Sequence, residues 1–291
     1  MHRYIIQRVL QLIPILFGIT FLTFSLMQFT QDDAVDHLYE QSGAAISEEV
    51  KDQKRAELGL DQPFLVQYGH WLKGAATGNM GRSYISGKRV FESFSEKLPM
   101  TVELMLVSIA MTLLISIPFG ILSAARQNTM LDLCVRFLTF IGNSLPNFFV
   151  ALLLIYFLAL KLNLFPIMGS RENAASVFLP ALTLAISMSA KYTRQIRAAV
   201  LEELGKPYVA GARSRGISEW TILTRSVLSS SFITIITLLA LSIGSLLGGT
   251  AIVETIFMWD GVGKMAVDAI LSRDYPLIQA YVVWMSVIYV G

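Results

Sequence analysis

Apolar residues in this chain come in runs too long for strands. The first covers about Val9–Phe29, the second Thr101–Ala125, the third Leu133–Leu160 and the fourth Val177–Tyr192. The fifth covers Phe232–Val253, and the sixth begins near Pro276. A helix needs about 20 mostly apolar residues to cross a hydrocarbon core about 30 Å thick. The pattern predicts an all-α polytopic membrane protein with six transmembrane helices. Gly142 and Pro146 interrupt the third run, and Pro118 and Pro180 sit inside others. A bundle tolerates such prolines because neighbouring groups satisfy the freed backbone. The fourth run is short, and its helix is expected to continue out of the membrane through Leu204. From Pro276 to Gly291 a helix rises about 22 Å at about 1.5 Å per residue. The native sixth helix is therefore expected to be longer than this chain.

A short basic start, His2-Arg3 and Arg8, precedes the first run. A cleaved signal peptide would have an apolar core of about 7–15 residues ending in small residues. This run is longer, and Gln28-Phe29-Thr30-Gln31 offers no such site, so the reading is an uncleaved helix.

Residues 31–98 are polar and mixed. Ser47-Glu48-Glu49 reads as a helix start and Gly59 as its stop. Pro63 suits the first turn of a second helix, reaching about Lys73. The glycines of 74–83 read as a loop, because no strand precedes them and no Lys-Ser/Thr follows. The expected layout is a transmembrane helix at 1–30, an extracytoplasmic helical insertion at 31–98, and a five-helix core at 99–291.

Composition supports the class. The 291 residues are 54% apolar and 15% charged, against about 25% charged in soluble domains. The net charge of +2 argues against a nucleic-acid surface, and one cysteine, Cys134, forms no internal disulfide. Charge placement says more. Arg126 and Arg136 lie between the second and third runs, and Lys191–Arg225 holds seven basic residues against three acidic. Acids such as Asp32, Asp36, Glu254, Asp260 and Asp274 gather on the opposite side. Basic loops stay in the cytoplasm, so the amino terminus is expected inside and residues 31–98 outside.

The polar stretch 193–227 reads as helix, break at Gly205-Lys206-Pro207, short helix Tyr208–Arg215, αL stop at Gly216, and a new helix capped by Ser218. The short helix would lie across the membrane surface and present Tyr208, Val209, Ala212 and Arg213. Basic surface helices also bind anionic lipid; two turns anchor little, and Ala210-Gly211-Ala212 favours close protein contact. In the fifth run Ala240, Gly244 and Gly248 recur at spacing four beside Ser245 and Gly249, which lets helix backbones approach closely. That face serves either packing within one subunit or a seam with a second one lining a pathway.

Ala210-Gly211-Ala212 followed by Gly216 resembles the cytoplasmic EAA loop of ABC-importer permeases, with Ala210 in place of the acid and the later proline absent. Tyr208-Val209-x-x-Ala212-Arg213-x-x-Gly216 resembles the peptide/nickel branch more fully. So do Leu58–Pro63 with Gln67-Tyr68, Ser144–Phe148, Gly248-Gly249-Thr250 through Glu254–Gly263, and Arg273-Asp274-Tyr275-Pro276. Asp260 stands where that branch has proline after Trp259. The resemblance covers nearly the whole chain. It implies a type I importer permease in the bacterial cytoplasmic membrane, paired with a second permease subunit, two ATP-binding subunits and an extracytoplasmic substrate-binding protein. ATP would bind the partners, and Tyr208, Val209, Ala212, Arg213 and Gly216 would couple to them. Gly244, Ser245, Gly248 and Gly249 would pack helices or line the pathway. The nickel-type first permease is the nearest resemblance, with di- or oligopeptides the alternative cargo.

Other chemistry has little support. There is no phosphate-binding GxxxxGK motif for ATP and no Cys/His cluster of zinc spacing. Met105, Met111 and Met188 could be soft metal ligands but read as packing. Glu103, near a span end, reads as solvated rather than functional. A secondary transporter would need broken mid-membrane helices and coupling acids there, and an intramembrane enzyme a catalytic constellation; neither is evident in the sequence.

Overall fold

A computed structural model describes residues 2–28, 34–41, 47–169 and 173–290. In chain order its helices are α1 His2–Gln28, α2 Ala34–Gln41, α3 Glu48–Leu58, α4 Phe64–Ala76, α5 Val90–Ala125, α6 Met130–Ser144 and α7 Asn147–Leu154. Then come α8 Phe178–Leu204, α9 Pro207–Ser214, α10 Glu219–Thr221, α11 Leu228–Gly249, α12 Ala251–Ile256, α13 Val262–Leu271 and α14 Tyr275–Val290. Wide π turns extend α7 through Lys161 and join α10 to α11 over Ile222–Val227.

Among the described residues, four helices are long and apolar enough to cross a membrane: Ile6–Met27, Val90–Ala125, Ala174–Leu204 and Glu219–Gly244. The third expected span is a broken one: Met130–Ser144 and Asn147–Lys161 meet at 104°. The break falls before Pro146, whose ring forces Leu145 into extended backbone (φ −82°, ψ 130°). A broken helix, not evident from sequence, is therefore present. α14 is the sixth apolar helix and is shorter.

The chain forms two compact units, Met1–Pro99 with Gly261–Gly291, and Met100–Asp260. In the first unit, α1 presents Phe17, Phe21 and Phe24 to Phe64 and Tyr68 of α4 in edge-on ring contacts. The Tyr68 hydroxyl sits 3.0 Å from Thr20 Oγ1, which gives a buried polar tip its partner. Leu10, Ile13, Leu22 and Leu26 of α1 are exposed, as on a lipid-facing helix. α14 packs along α1, and Phe94 meets Trp284 at 3.9 Å. Glu48 and Glu49 begin α3, and Gly59 ends it at φ +68°, as the sequence predicts. Asp274 is buried; it accepts from the Ser83 hydroxyl and from Tyr84 N–H at 3.1 Å. Burial pushes its carboxyl above the usual range, opposed by those donors.

The second unit is organised on α8, buried from Leu179 to Val200. Gly120 and Gly142 let α5 and α6 approach it: a Cβ at Gly120 would meet Ile196 at 2.7 Å, and one at Gly142 would meet Ala190 at 3.0 Å. Glu254, counted in the sequence among the acids of the outer side, is fully buried and accepts from Thr101 Oγ1 at 2.8 Å. Close by in sequence, Trp259 is buried and its Nε1 donates to Met100 O at 2.9 Å. Met105 is buried and Met188 packs on the core, as packing methionines do; Glu103 is exposed.

Candidate functional site: the α9 turn

α8 stops at Leu204, and the next three residues turn the chain. Lys206 is extended (φ −77°, ψ 149°) and Pro207 takes the first helical position of α9, where its fixed φ suits and its missing N–H costs nothing. The helix ends in a Schellman turn. Ile217 N–H donates to Ala212 O at 3.2 Å and Gly216 N–H to Arg213 O at 2.9 Å. Gly216 has φ +76°, so glycine is needed there. Ser218 then caps α10, its Oγ accepting from Thr221 N. The sequence reading of this segment holds within one residue at each boundary.

The burial pattern differs from the expectation. Val209 and Ala212 are not presented outward: they are 0% and 5% exposed. They pack into a core with Ile196, Val200, Ile222, Leu223 and Val227. Three residues apart on a two-turn helix, they form one stripe, and a helix this short holds only by burying that stripe. Tyr208, Ala210, Gly211 and Arg213 face outward. A Cβ on Gly211 would meet nothing within 4 Å. Past the turn, Ile217 and Trp220 are exposed, Trp220 by 67%. Trp220 was missed from sequence, because a tryptophan just after a helix cap reads as a buried anchor.

The polar groups of this face are occupied from within the chain. Arg213 grips Glu219 with two bonds, 2.6 and 3.1 Å. Tyr208 Oη donates to Glu203 at 2.9 Å, and Lys206 pairs with the same carboxylate. The Glu203 carboxylate holds the Lys206 ammonium above its ordinary range, and Glu219 does the same for Arg213. Partial burial, then Glu203, raises Tyr208. All three keep their protons at neutral pH. Exposed pairs of this kind contribute little to stability and can be exchanged for a partner's groups.

Arg197 of α8, ahead of the turn, closes a buried clamp that sequence reasoning also missed. Asp132 is fully buried and accepts from Ser123 Oγ at 2.5 Å and Asn128 N–H at 3.0 Å. Arg197 of α8 completes it with two bonds, 2.7 and 2.8 Å. Asn128 takes φ 62° to make its bond, a conformation asparagine tolerates. The clamp ties the α5–α6 loop to the stretch of α8 that leads into α9. Arg197 lies 65 residues from Asp132, so spacing gave no signal of their pairing.

Gly244, Ser245, Gly248 and Gly249 all lie on α11. Gly244 is half-buried; the side-chain surroundings of the other three lie outside the described residues.

Four helices long and apolar enough to cross a membrane, with a bent pair beside them, fit a multi-pass membrane protein. Residues 116–291 match the family described as binding-protein-dependent transport system inner membrane component, and residues 1–105 match its amino-terminal counterpart. The chain belongs to this family and is a permease subunit of an ABC importer of the peptide/nickel type, with ATP hydrolysis carried by partner subunits. It is 38% identical, over all of its length and 94% of the relative, to the oligopeptide transport system permease protein AppB of Bacillus subtilis. It is 31% identical, over all of its length and 93% of the relative, to the metal-staphylopine import system permease protein CntB of Staphylococcus aureus. A putative peptide permease of Brucella suis is 34% identical over 96% of this chain and 90% of the relative. Among solved structures, a chain of the MetNI methionine ABC transporter in an inward-facing conformation matches with TM-score 0.54 and 16% identity, over 68% of this chain and 92% of that one. That likeness bears on the fold alone.

Proposed function

We propose that this chain is one of two permease subunits of an importer for short peptides, with two ATP-binding subunits at the cytoplasmic turn and a substrate-binding protein outside. The carrying observation is α9: a two-turn helix stapled by Val209 and Ala212, with Tyr208, Gly211, Ile217 and Trp220 outward. An apolar and aromatic rim around a small-residue surface fits a groove on a protein better than a bilayer, which a short helix grips weakly. Arg213, released from Glu219, is the charged contact on that face, and Gly216 sets its angle. Gly244, Ser245, Gly248 and Gly249 would form the seam or pathway face. The amino terminus lies in the cytoplasm, supported by the lysine and arginine asymmetry.

The 38% identity to an oligopeptide permease supports peptide cargo. The 31% identity to a metal-staphylopine permease supports a second reading, a metal chelate such as chelated nickel. Proteoliposomes with the assembled complex and ATP separate them. Uptake of labelled tri-alanine without nickel uptake, with or without chelator, is expected. Nickel uptake without peptide uptake reverses the substrate reading, and uptake without ATP removes the ATPase-coupled mechanism.

A further inference from the structure

Between α4 and α5 the chain doubles back on itself. Ser83 N–H donates to Lys88 O at 2.9 Å and Val90 N–H to Gly81 O at 3.2 Å, so Arg82 and Arg89 face each other across an antiparallel bridge. The bonds fall on their neighbours. The two arginines are therefore a non-hydrogen-bonded pair, with Cα atoms about 4.5 Å apart and side chains on one face. Alternation sends Ser83 and Val90 inward, where both are buried, and leaves Arg82 and Arg89 on the exposed face. The buried Asp274 accepts from the Ser83 hydroxyl and anchors that turn. Arg82 Nη1 donates to Gly87 O at 3.2 Å. The backbone of the pair is thus set by the fold, which lowers the cost of ordering a ligand on it.

Like charges directly opposite each other in such a pair are destabilising. Among the described residues no carboxylate pairs with either guanidinium. Both line one cavity of about 850 Å³, a volume in the range of small-ligand sites. Asn79, Met80, Phe91 and Glu92 line it with them. An anion between the guanidiniums would relieve their repulsion, and a carboxylate fits the planar fork of each. Two guanidiniums and one carboxylate in the same cavity match both charges of a short zwitterionic peptide better than those of a simple anion.

We propose that this cavity takes the free carboxyl end of a short peptide, with Arg82 and Arg89 as its contacts. The inference rests on the peptide reading above and deepens it by placing a cargo contact on the permease itself. Reading the terminal carboxylate, which every peptide carries, gives affinity with little sequence preference.

The test is calorimetric titration of the assembled complex in lipid nanodiscs with tri-alanine, without ATP or the substrate-binding protein. Saturable binding is expected, and tri-alanine amidated at its carboxyl end should bind about ten-fold more weakly or worse. This readout needs no variant to fold. Arg89→Gln removes an exposed, unpaired charge, so the melting temperature should hold. In that variant tri-alanine should weaken by a similar factor and the acid and the amide should bind alike. No saturable binding, or equal affinity of wild type for acid and amide, overturns the proposal. An unchanged preference for the acid in Arg89→Gln overturns it too. If Arg89→Gln loses uptake while wild type binds acid and amide alike, the peptide site is overturned, and an acidic side chain of the binding protein becomes the arginines' partner. Tri-alanine uptake with no preference for the acid removes the cavity but keeps the import reading. Arg89-dependent binding of tri-alanine in a complex that takes up only nickel keeps the cavity and removes the import reading.

Discussion

The α9 turn and the buried Gln279 of α14 treat polar groups in opposite ways. At the turn every argued charge has a partner in the chain: Arg213 holds Glu219, and Lys206 and Tyr208 share Glu203. What faces outward unsatisfied is apolar surface, Ile217 and Trp220. In the first unit the amide of Gln279 is fully buried and left without a partner among the described residues. The first arrangement suits a rigid protein contact, where apolar area gives affinity and surface charges tune fit. The second is a cost of burial that the surrounding packing has to offset.

The comparison can be tested from its foundations outward. The largest effect is expected at the Asp132–Arg197 clamp. Asp132→Leu leaves Arg197 without its buried partner, and breaking such a pair costs about 3 kcal/mol. Thermal unfolding should show a clear drop, and the double variant Asp132→Leu with Arg197→Leu should recover part of it. If the single variant unfolds like wild type, α9 does not stand on this clamp.

Gly216→Val comes next. A β-branched residue at φ +76° costs about 1–2 kcal/mol, spent locally on the Schellman turn. The chain should stay inserted while substrate-stimulated ATP hydrolysis in the assembled complex is lost. Wild-type stimulation would show that the angle of α9 is irrelevant to coupling.

Gly211→Trp separates surface from core. Nothing lies within 4 Å of a Cβ there, so stability should hold, and helix propensity favours the change. ATPase stimulation and uptake should fall together. Ala212→Trp, by contrast, drives a ring into the chain's own core and should unfold α9. Unchanged coupling in a folded Gly211→Trp complex would leave lipid as the turn's partner.

The smallest effect is a pH dependence in the first unit. Burial raises the Asp274 carboxyl, so the folded chain holds that proton longer than the unfolded one. Its contribution is full below the unfolded value of 3.8 and is lost as pH rises through the higher folded value. Wild type should therefore lose slightly more stability than Asp274→Asn between about pH 4 and pH 7 in paired melting curves. Parallel curves would show that the donors from Ser83 and Tyr84 cancel the effect of burial.

The amino-acid sequence by itself determined the class, the apolar runs, the helix–break–helix order of 193–227, and the glycine stop at Gly216. Each rests on local chemistry: run length against bilayer thickness, proline's missing N–H, glycine's tolerance of positive φ. Only the tertiary structure decided which side of α9 is buried. Val209 and Ala212 read as contact residues until Ile196, Val200 and Ile222 are seen packed on them, because a two-turn helix shows no period of its own. The Asp132–Arg197 clamp and the burial of Glu254 were likewise decided by packing. Each depends on groups that the fold brings together across many residues, and no local spacing encodes such a meeting.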